Sequence, residues 1–128
     1  MNVKKQVLSI LVVEDNLINQ RLIMAALVRL GHQVANAPNG EVAVKMFKEN
    51  SYDVILMDIM MPVMDGVTAC EKIRAIETQR GIPDTGRIKI IAVTANAFDD
   101  DRERFLNSGM DEMMNKPIDI DELQRLLF

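Results

Sequence analysis

Glu14 and Asp15, Asp58, Thr94 and Ala95, and Lys116 and Pro117 each stand at the end of a segment that reads as a β-strand. Taken singly, a surface acid or lysine is most simply a solvated group. Repeated placement at strand ends changes that reading, because three acids, one hydroxyl and one ammonium would then converge. Carboxylates held together raise one another's pKa unless a cation balances them, and a few hard oxygen ligands suit Mg²⁺ with its retained waters. A metal near Asp58 and the Lys116 ammonium would neutralise a phosphoryl group in transfer, while Thr94 and a backbone N–H could hold its oxygens. Asp58 is the natural nucleophile, since a carboxylate can form an aspartyl-phosphate.

For these groups to meet, the strands must lie side by side and point the same way. Ile10-Leu11-Val12-Val13, Val54-Ile55-Leu56-Met57 and Ile88-Lys89-Ile90-Ile91-Ala92-Val93 are apolar runs whose length suits strands buried on both faces of a parallel sheet. Gln33–Ala37 and Glu112–Asn115 have the mixed polarity of edge strands. Helical patterns fill the intervals. Leu22, Ile23, Ala26, Leu27 and Leu30 share one face before Gly31; Val42, Ala43, Met46 and Phe47 share another; Ala69, Cys70, Ile73 and Ile76 follow Asp65-Gly66. Asp99-Asp100-Asp101 suits a helix N-terminus, with Phe105 and Leu106 inside and Gly109 as the stop. Asp119 and Glu122 resemble a capping box before Leu123, Leu126 and Leu127. Residues 79–87 form a polar loop. Alternating strands and helices imply right-handed crossovers, a sheet covered on both faces, and ligands bound at the strands' carboxyl ends.

The length of 128 residues fits one compact domain over 1–128 with no room for a separate output domain. A formal net charge of −4 argues against direct nucleic-acid binding. Cys70 is the lone cysteine, so no internal disulfide can form, and its helical neighbours suggest a core thiol. Lys4 and Lys5 before an apolar run imitate a signal peptide, but Glu14 and Asp15 end the run without a cleavage pattern. No apolar run approaches the roughly 20 residues that span a bilayer, so a soluble, cytoplasmic chain without membrane insertion is expected. His32, beside a helix-ending glycine, is expected to be an exposed loop residue without a role.

Val12-Val13-Glu14-Asp15-Asn16 with Asn19, Asp53-Val54-Ile55-Leu56-Met57-Asp58, Met61-Pro62-Val63-Met64-Asp65-Gly66, Val93-Thr94-Ala95-Asn96-Ala97, and Gly109-Met110-Asp111 with Lys116-Pro117 resemble the receiver domain of two-component response regulators. The resemblance runs in order over nearly the whole chain. Asn19 and Thr94-Ala95-Asn96-Ala97 are most similar to receivers of hybrid histidine kinases. The resemblance implies a flavodoxin-like (βα)5 fold with strand order 2-1-3-4-5. Asp58 would be the phosphoacceptor, Asp15 a direct Mg²⁺ ligand, Glu14 a ligand mainly through water, and the Met60 carbonyl a further ligand. Thr94, Lys116 and the Ala95 N–H would contact the phosphoryl group. Lys116-Pro117 would be a cis bond, and Gly66 would permit a backbone conformation closed to other residues.

The implied partner is a histidine kinase or histidine phosphotransfer protein. Phosphorylation, which the domain itself would catalyse and slowly reverse, would switch the surface of the fourth helix, fifth strand and fifth helix. One departure stands out: the third position before the lysine is usually aromatic in this family, and here it is Met113. Three rivals remain. A flavin-binding protein would need a phosphate-cradling loop where Glu14-Asp15-Asn16-Leu17 stands, an aspartate-nucleophile phosphatase would want a second aspartate at Met60, and a docking module would have no need of the acids and lysine.

Overall fold

The computed structural model describes residues 7–60, 63–95 and 102–128. Lys4, Lys5, Met61, Pro62, Asn96, Ala97 and Asp99-Asp100-Asp101, which figure in the expectations above, lie outside the described residues. Strands and helices alternate as β1 (Ser9–Val13), α1 (Leu17–Arg29), β2 (Gln33–Ala37), α2 (Gly40–Glu49), β3 (Val54–Asp58), α3 (Gly66–Gln79), β4 (Lys89–Thr94), α4 (Arg102–Asn107), β5 (Glu112–Asn115) and α5 (Ile120–Leu127). The five strands pair in parallel in the order β2-β1-β3-β4-β5. This is the flavodoxin-like, doubly wound arrangement.

The strand pleat explains why β1, β3 and β4 are apolar at every interior position. Ile10, Val12, Val54, Leu56 and Ile91 point to a core shared with Leu27 of α1 and with Leu123 and Leu127 of α5. Their neighbours Leu11, Val13, Ile55, Met57, Ile90 and Ala92 point to the other side, against Ala43, Val44 and Phe47 of α2 and Ala69, Cys70 and Ile73 of α3. A strand with helices on both faces has no solvent side on which to place polar residues. Polar side chains are thereby pushed to the strand ends.

The loops that leave β1, β2, β3 and β5 each end in a helix cap. Asn16, Asn39, Asp65 and Asp119 accept backbone N–H groups of Asn19, of Val42, of Thr68, and of Asp121 and Glu122, respectively. Each cap satisfies donors that a helix start otherwise leaves open. Gly66 has no positive φ, contrary to expectation. Its missing side chain matters for space: a Cβ there would collide with the Asp58 carbonyl and stand 2.9 Å from the Met57 Cγ. Glycine lets α3 start directly against the end of β3.

Three helix-face expectations change. Leu22 of α1 and Leu30 at its C-cap are exposed, and so is Leu106 of α4, whereas Leu27 and Phe105 are buried. The first turns of α1 flank a cleft at the strand ends rather than lying over the sheet, so its apolar arc is wider than its contact line. His32 is buried rather than exposed. Its Nδ1 accepts the Leu8 N–H at 3.1 Å, and its ring lies 6.0 Å from that of Phe128. The adjoining Gly31 does end α1 as expected, at φ +95°.

At the opposite end of the sheet, Arg74 joins three elements. Its Nη1 donates to Glu77 and to the Ile88 carbonyl, each at 2.7 Å, its Nε to the Gly109 carbonyl at 2.9 Å, and its Nη2 to Asp111 at 2.8 Å. Glu77 and Asp111 in turn accept the N–H groups of Ile88 and Ile90. Gly109 combines φ +108° with a position where a Cβ would stand 2.7 Å from the Arg74 Cγ. Removing one partner from a buried ion pair leaves an uncompensated charge, which costs about 3–5 kcal/mol. Arg74→Met is expected to lose about 3 kcal/mol, the low end of that range because Arg87 stands 3.6 Å from Glu77. Urea unfolding would show it as a lower midpoint at unchanged slope; an unchanged midpoint would refute the assignment.

Candidate functional site

The parallel ladder brings the ends of β1, β3 and β4 to the same level. Glu14 follows β1, and its N–H donates to the Ala37 carbonyl at 3.0 Å, so the pairing with β2 continues one residue past the strand. Asp58 closes β3 opposite Val93. Thr94 closes β4 opposite Asn115, and the Lys116 N–H donates to the Thr94 carbonyl at 2.8 Å. The Lys116-Pro117 bond is cis, as expected.

Side chains follow the backbone. The Lys116 Nζ lies 3.0 Å from Asp58 Oδ2 and 3.9 Å from Glu14 Oε2. Glu14, Asp58 and Thr94 are buried, while Asp15, Met60 and Ala95 are exposed. One carboxylate oxygen each from Glu14, Asp15 and Asp58 falls within 4.8 Å of the others. Asp58 Oδ1 also accepts the Met60 N–H at 3.2 Å, which orients the carboxylate and fixes the start of the following loop. Three acids facing one ammonium leave an excess of negative charge that a hard divalent cation with oxygen preference fits.

Glu14 feels that excess most directly. Its pKa is raised, first by burial and then by the neighbouring Asp58 carboxylate, while the Asn19 amide and the Lys116 ammonium pull it the other way. Sequence pattern alone does not reveal the contacts of Glu14 with the first turn of α1. Its Oε1 accepts the Asn16 N–H at 3.3 Å and the Asn19 Nδ2 at 3.1 Å, and its carbonyl accepts the Gln20 Nε2 at 2.6 Å. The signal was the polar run of Asn16, Asn19 and Gln20 straight after an acid that leaves a buried strand. Beside the acids opens a cleft of about 420 Å³, lined by Asn19, Leu22, Ile23, Pro117, Ile118 and Ile120.

Residues 10–128 match the family model described as the response regulator receiver domain. Hybrid signal transduction histidine kinase I of Dictyostelium discoideum is 44% identical over 114 residues, which cover 85% of this chain and 6% of the kinase. The signal transduction histidine-protein kinase BarA of Shigella flexneri is 39% identical over 123 residues, covering 96% of this chain and 13% of the kinase. The chain thus spans a small fraction of these relatives' length. Among solved structures, the receiver domain of sensor histidine kinase PA1611 of Pseudomonas aeruginosa PAO1, with magnesium coordinated in its active-site cleft, is 45% identical at a TM-score of 0.82, covering 94% of this chain and 93% of that one. The receiver domain of Saccharomyces cerevisiae Ssk1, co-crystallised with the histidine phosphotransfer protein Ypd1, is similar at 31% identity and a TM-score of 0.82, covering 93% of this chain and 85% of that one.

The raised Glu14 pKa gives stability a sign with pH. In metal-free buffer the folded protein holds a proton on Glu14 where the unfolded chain has released it. That contribution is complete below the unfolded glutamate pKa and is lost as pH rises through the folded value. Glu14→Gln removes it, so the variant is expected to gain stability relative to the parent between about pH 4 and neutrality. Urea midpoints at a series of pH values in EDTA would read it, and a pH-independent difference between the two proteins would contradict it.

Proposed function

This chain belongs to the response regulator receiver domain family, and from that premise we propose that residues 1–128 form one receiver unit that accepts a phosphoryl group on Asp58. The observation that carries this reading is the contact of the Lys116 ammonium with Asp58 at 3.0 Å beside a cluster of three carboxylates. Asp58 is held from two sides, by Lys116 on Oδ2 and by the Met60 N–H on Oδ1, so it meets an incoming phosphorus atom with little reorganisation. A carboxylate oxygen attacks phosphorus, the P–N bond of a phosphohistidine breaks, and the donor imidazole leaves with the bonding electrons. Lys116 then balances charge on the phosphoryl oxygens, while the Thr94 hydroxyl and the Ala95 N–H donate hydrogen bonds to them.

Asp15 and Asp58 would hold Mg²⁺ directly, Glu14 mainly through water, and Met60 through its carbonyl; when bound, the ion supplies positive charge to the transferring group. Magnesium in the cleft of the similar P. aeruginosa receiver supports this assignment. The donor is a histidine kinase or a histidine phosphotransfer protein, a reading supported by the Ypd1 complex of the similar yeast receiver. Slow hydrolysis of the aspartyl-phosphate, catalysed by the same residues, resets the switch. No helix among the described residues is long and apolar enough to cross a membrane. A cytoplasmic location belongs to the same proposal, because phosphohistidine donors are charged from ATP.

Acetyl phosphate with Mg²⁺ is expected to add one phosphate to the parent by intact mass, none to Asp58→Asn, and none to the parent in excess EDTA. Stable phosphate on Asp58→Asn at the parent's yield would overturn the assignment of the acceptor. Undiminished labelling in EDTA would overturn the metal requirement.

The output surface of α4, β5 and α5 carries a second expectation. Met113 lies on β5 opposite Ala92 and packs, half-buried, against the core on the α2 and α3 side. In the family an aromatic ring at this position moves into space vacated by the Thr94-equivalent hydroxyl. Flexible, apolar Met113 distinguishes inward from outward positions less sharply, and a modification shifts an equilibrium only by its differential energy. Met113→Tyr is therefore expected to enlarge the phosphorylation-dependent shift, read by relaxation-dispersion NMR with and without beryllofluoride. Equal coupling in both proteins would sink the argument.

A further inference from the structure

We infer that Asn19 is a positioning residue for the metal site: its side-chain amide holds the Glu14 carboxylate in the orientation that serves the ion. The inference rests on the metal-site reading above and deepens it. A glutamate's terminal torsion is broad and roughly two-fold, so burial alone does not decide where its two oxygens point. Here they are divided. Oε1 is taken by the Asn19 Nδ2 at 3.1 Å and the Asn16 N–H at 3.3 Å. Oε2 is left facing Lys116 at 3.9 Å, on the side of Asp58.

The chemistry of the donor matters as much as its position. An amide satisfies a carboxylate lone pair without bringing a positive charge. A lysine or arginine at residue 19 would also bond Glu14, but it would compete with a cation for the same negative field. Asn19 is itself held in place, since its backbone N–H donates at 3.0 Å to the Asn16 side chain that caps α1. Helix cap, amide and carboxylate form one assembly, in which α1 sets the direction of the acid that follows β1.

Groups that orient metal ligands typically contribute 10- to 100-fold to affinity. Asn19→Leu is expected to weaken Mg²⁺ binding about tenfold, followed by amide chemical shifts, and Mn²⁺ binding likewise, followed by electron paramagnetic resonance. Residue 19 is an exposed helical position, so the variant should fold, and its thermal midpoint in EDTA checks that. The decisive comparison repeats the substitution in a Glu14→Gln background. If Asn19 acts through the Glu14 carboxylate, the second substitution leaves the already weakened affinity unchanged. Parent-like affinity in Asn19→Leu, or an equal loss in both backgrounds, overturns the inference while leaving the metal site standing. Failure of the parent to bind either ion overturns the site reading and this inference with it.

Discussion

The contact between Lys116 and Asp58 is the point on which the arrangement turns. A carboxylate that ends a buried central strand is expensive to keep charged unless an opposite charge stands beside it. Lys116 supplies that charge from the far side of β4, and it can do so because the backbone bond from Lys116 to Thr94 fixes where its side chain starts. Glu14 and Asp15 then add two more negative groups than one ammonium can balance. The site is therefore built with a deficit of positive charge, which is the physical condition for recruiting a cation and then an anionic group.

The framework around this site is fastened at the strand ends that carry the acids and again at the opposite end of the sheet. Continuous apolar strands, helix caps and the close approach permitted by Gly66 hold the carboxyl ends of β1 and β3 in register. At the other end of the sheet the Arg74 guanidinium binds α3, the entry to β4 and the turn before β5 into one cluster. A phosphorylation-driven change in the α4, β5 and α5 surface would thus be hinged between a charged centre and a buried ionic anchor. Met113 lies between them on β5, where its flexible side chain packs half-buried against the core.

The cleft beside the acids has mixed character, lined by Asp58 and Lys116 together with aliphatic side chains from α1 and from the segment after Pro117. Exposed Leu17, Ile18 and Leu22 continue that apolar surface along the first turns of α1. The same turns carry Asn16, Asn19 and Gln20, which grip Glu14. Residues of one helix therefore line the surface beside the acids and also fix the orientation of Glu14.

Much of this was legible in the chain alone. Buried parallel strands demand aliphatic runs, so the three central strands and the acids and hydroxyl at their ends announce themselves, with Lys116 after the more mixed edge strand β5, and the lone Cys70 reads correctly as a core thiol whose burial raises its pKa to about 11. Other features needed the tertiary structure, because they depend on distances between residues far apart in sequence. Helical spacing places Leu22, Leu30 and Leu106 on apolar faces, but only the position of each helix over the sheet decides how much of a face is covered. His32 reads as exposed because its local sequence ends a helix; in the fold the Leu8 backbone and the Phe128 ring stand against it. Arg74 and Glu77 continue the buried face of α3, and without Gly109 and Asp111 beside them nothing in the pattern distinguishes them from solvated charges. Gly66 reads as a turn glycine until α3 is seen to press against the Asp58 carbonyl. Periodicity records which side of an element faces inward; what it meets there is a property of the folded chain.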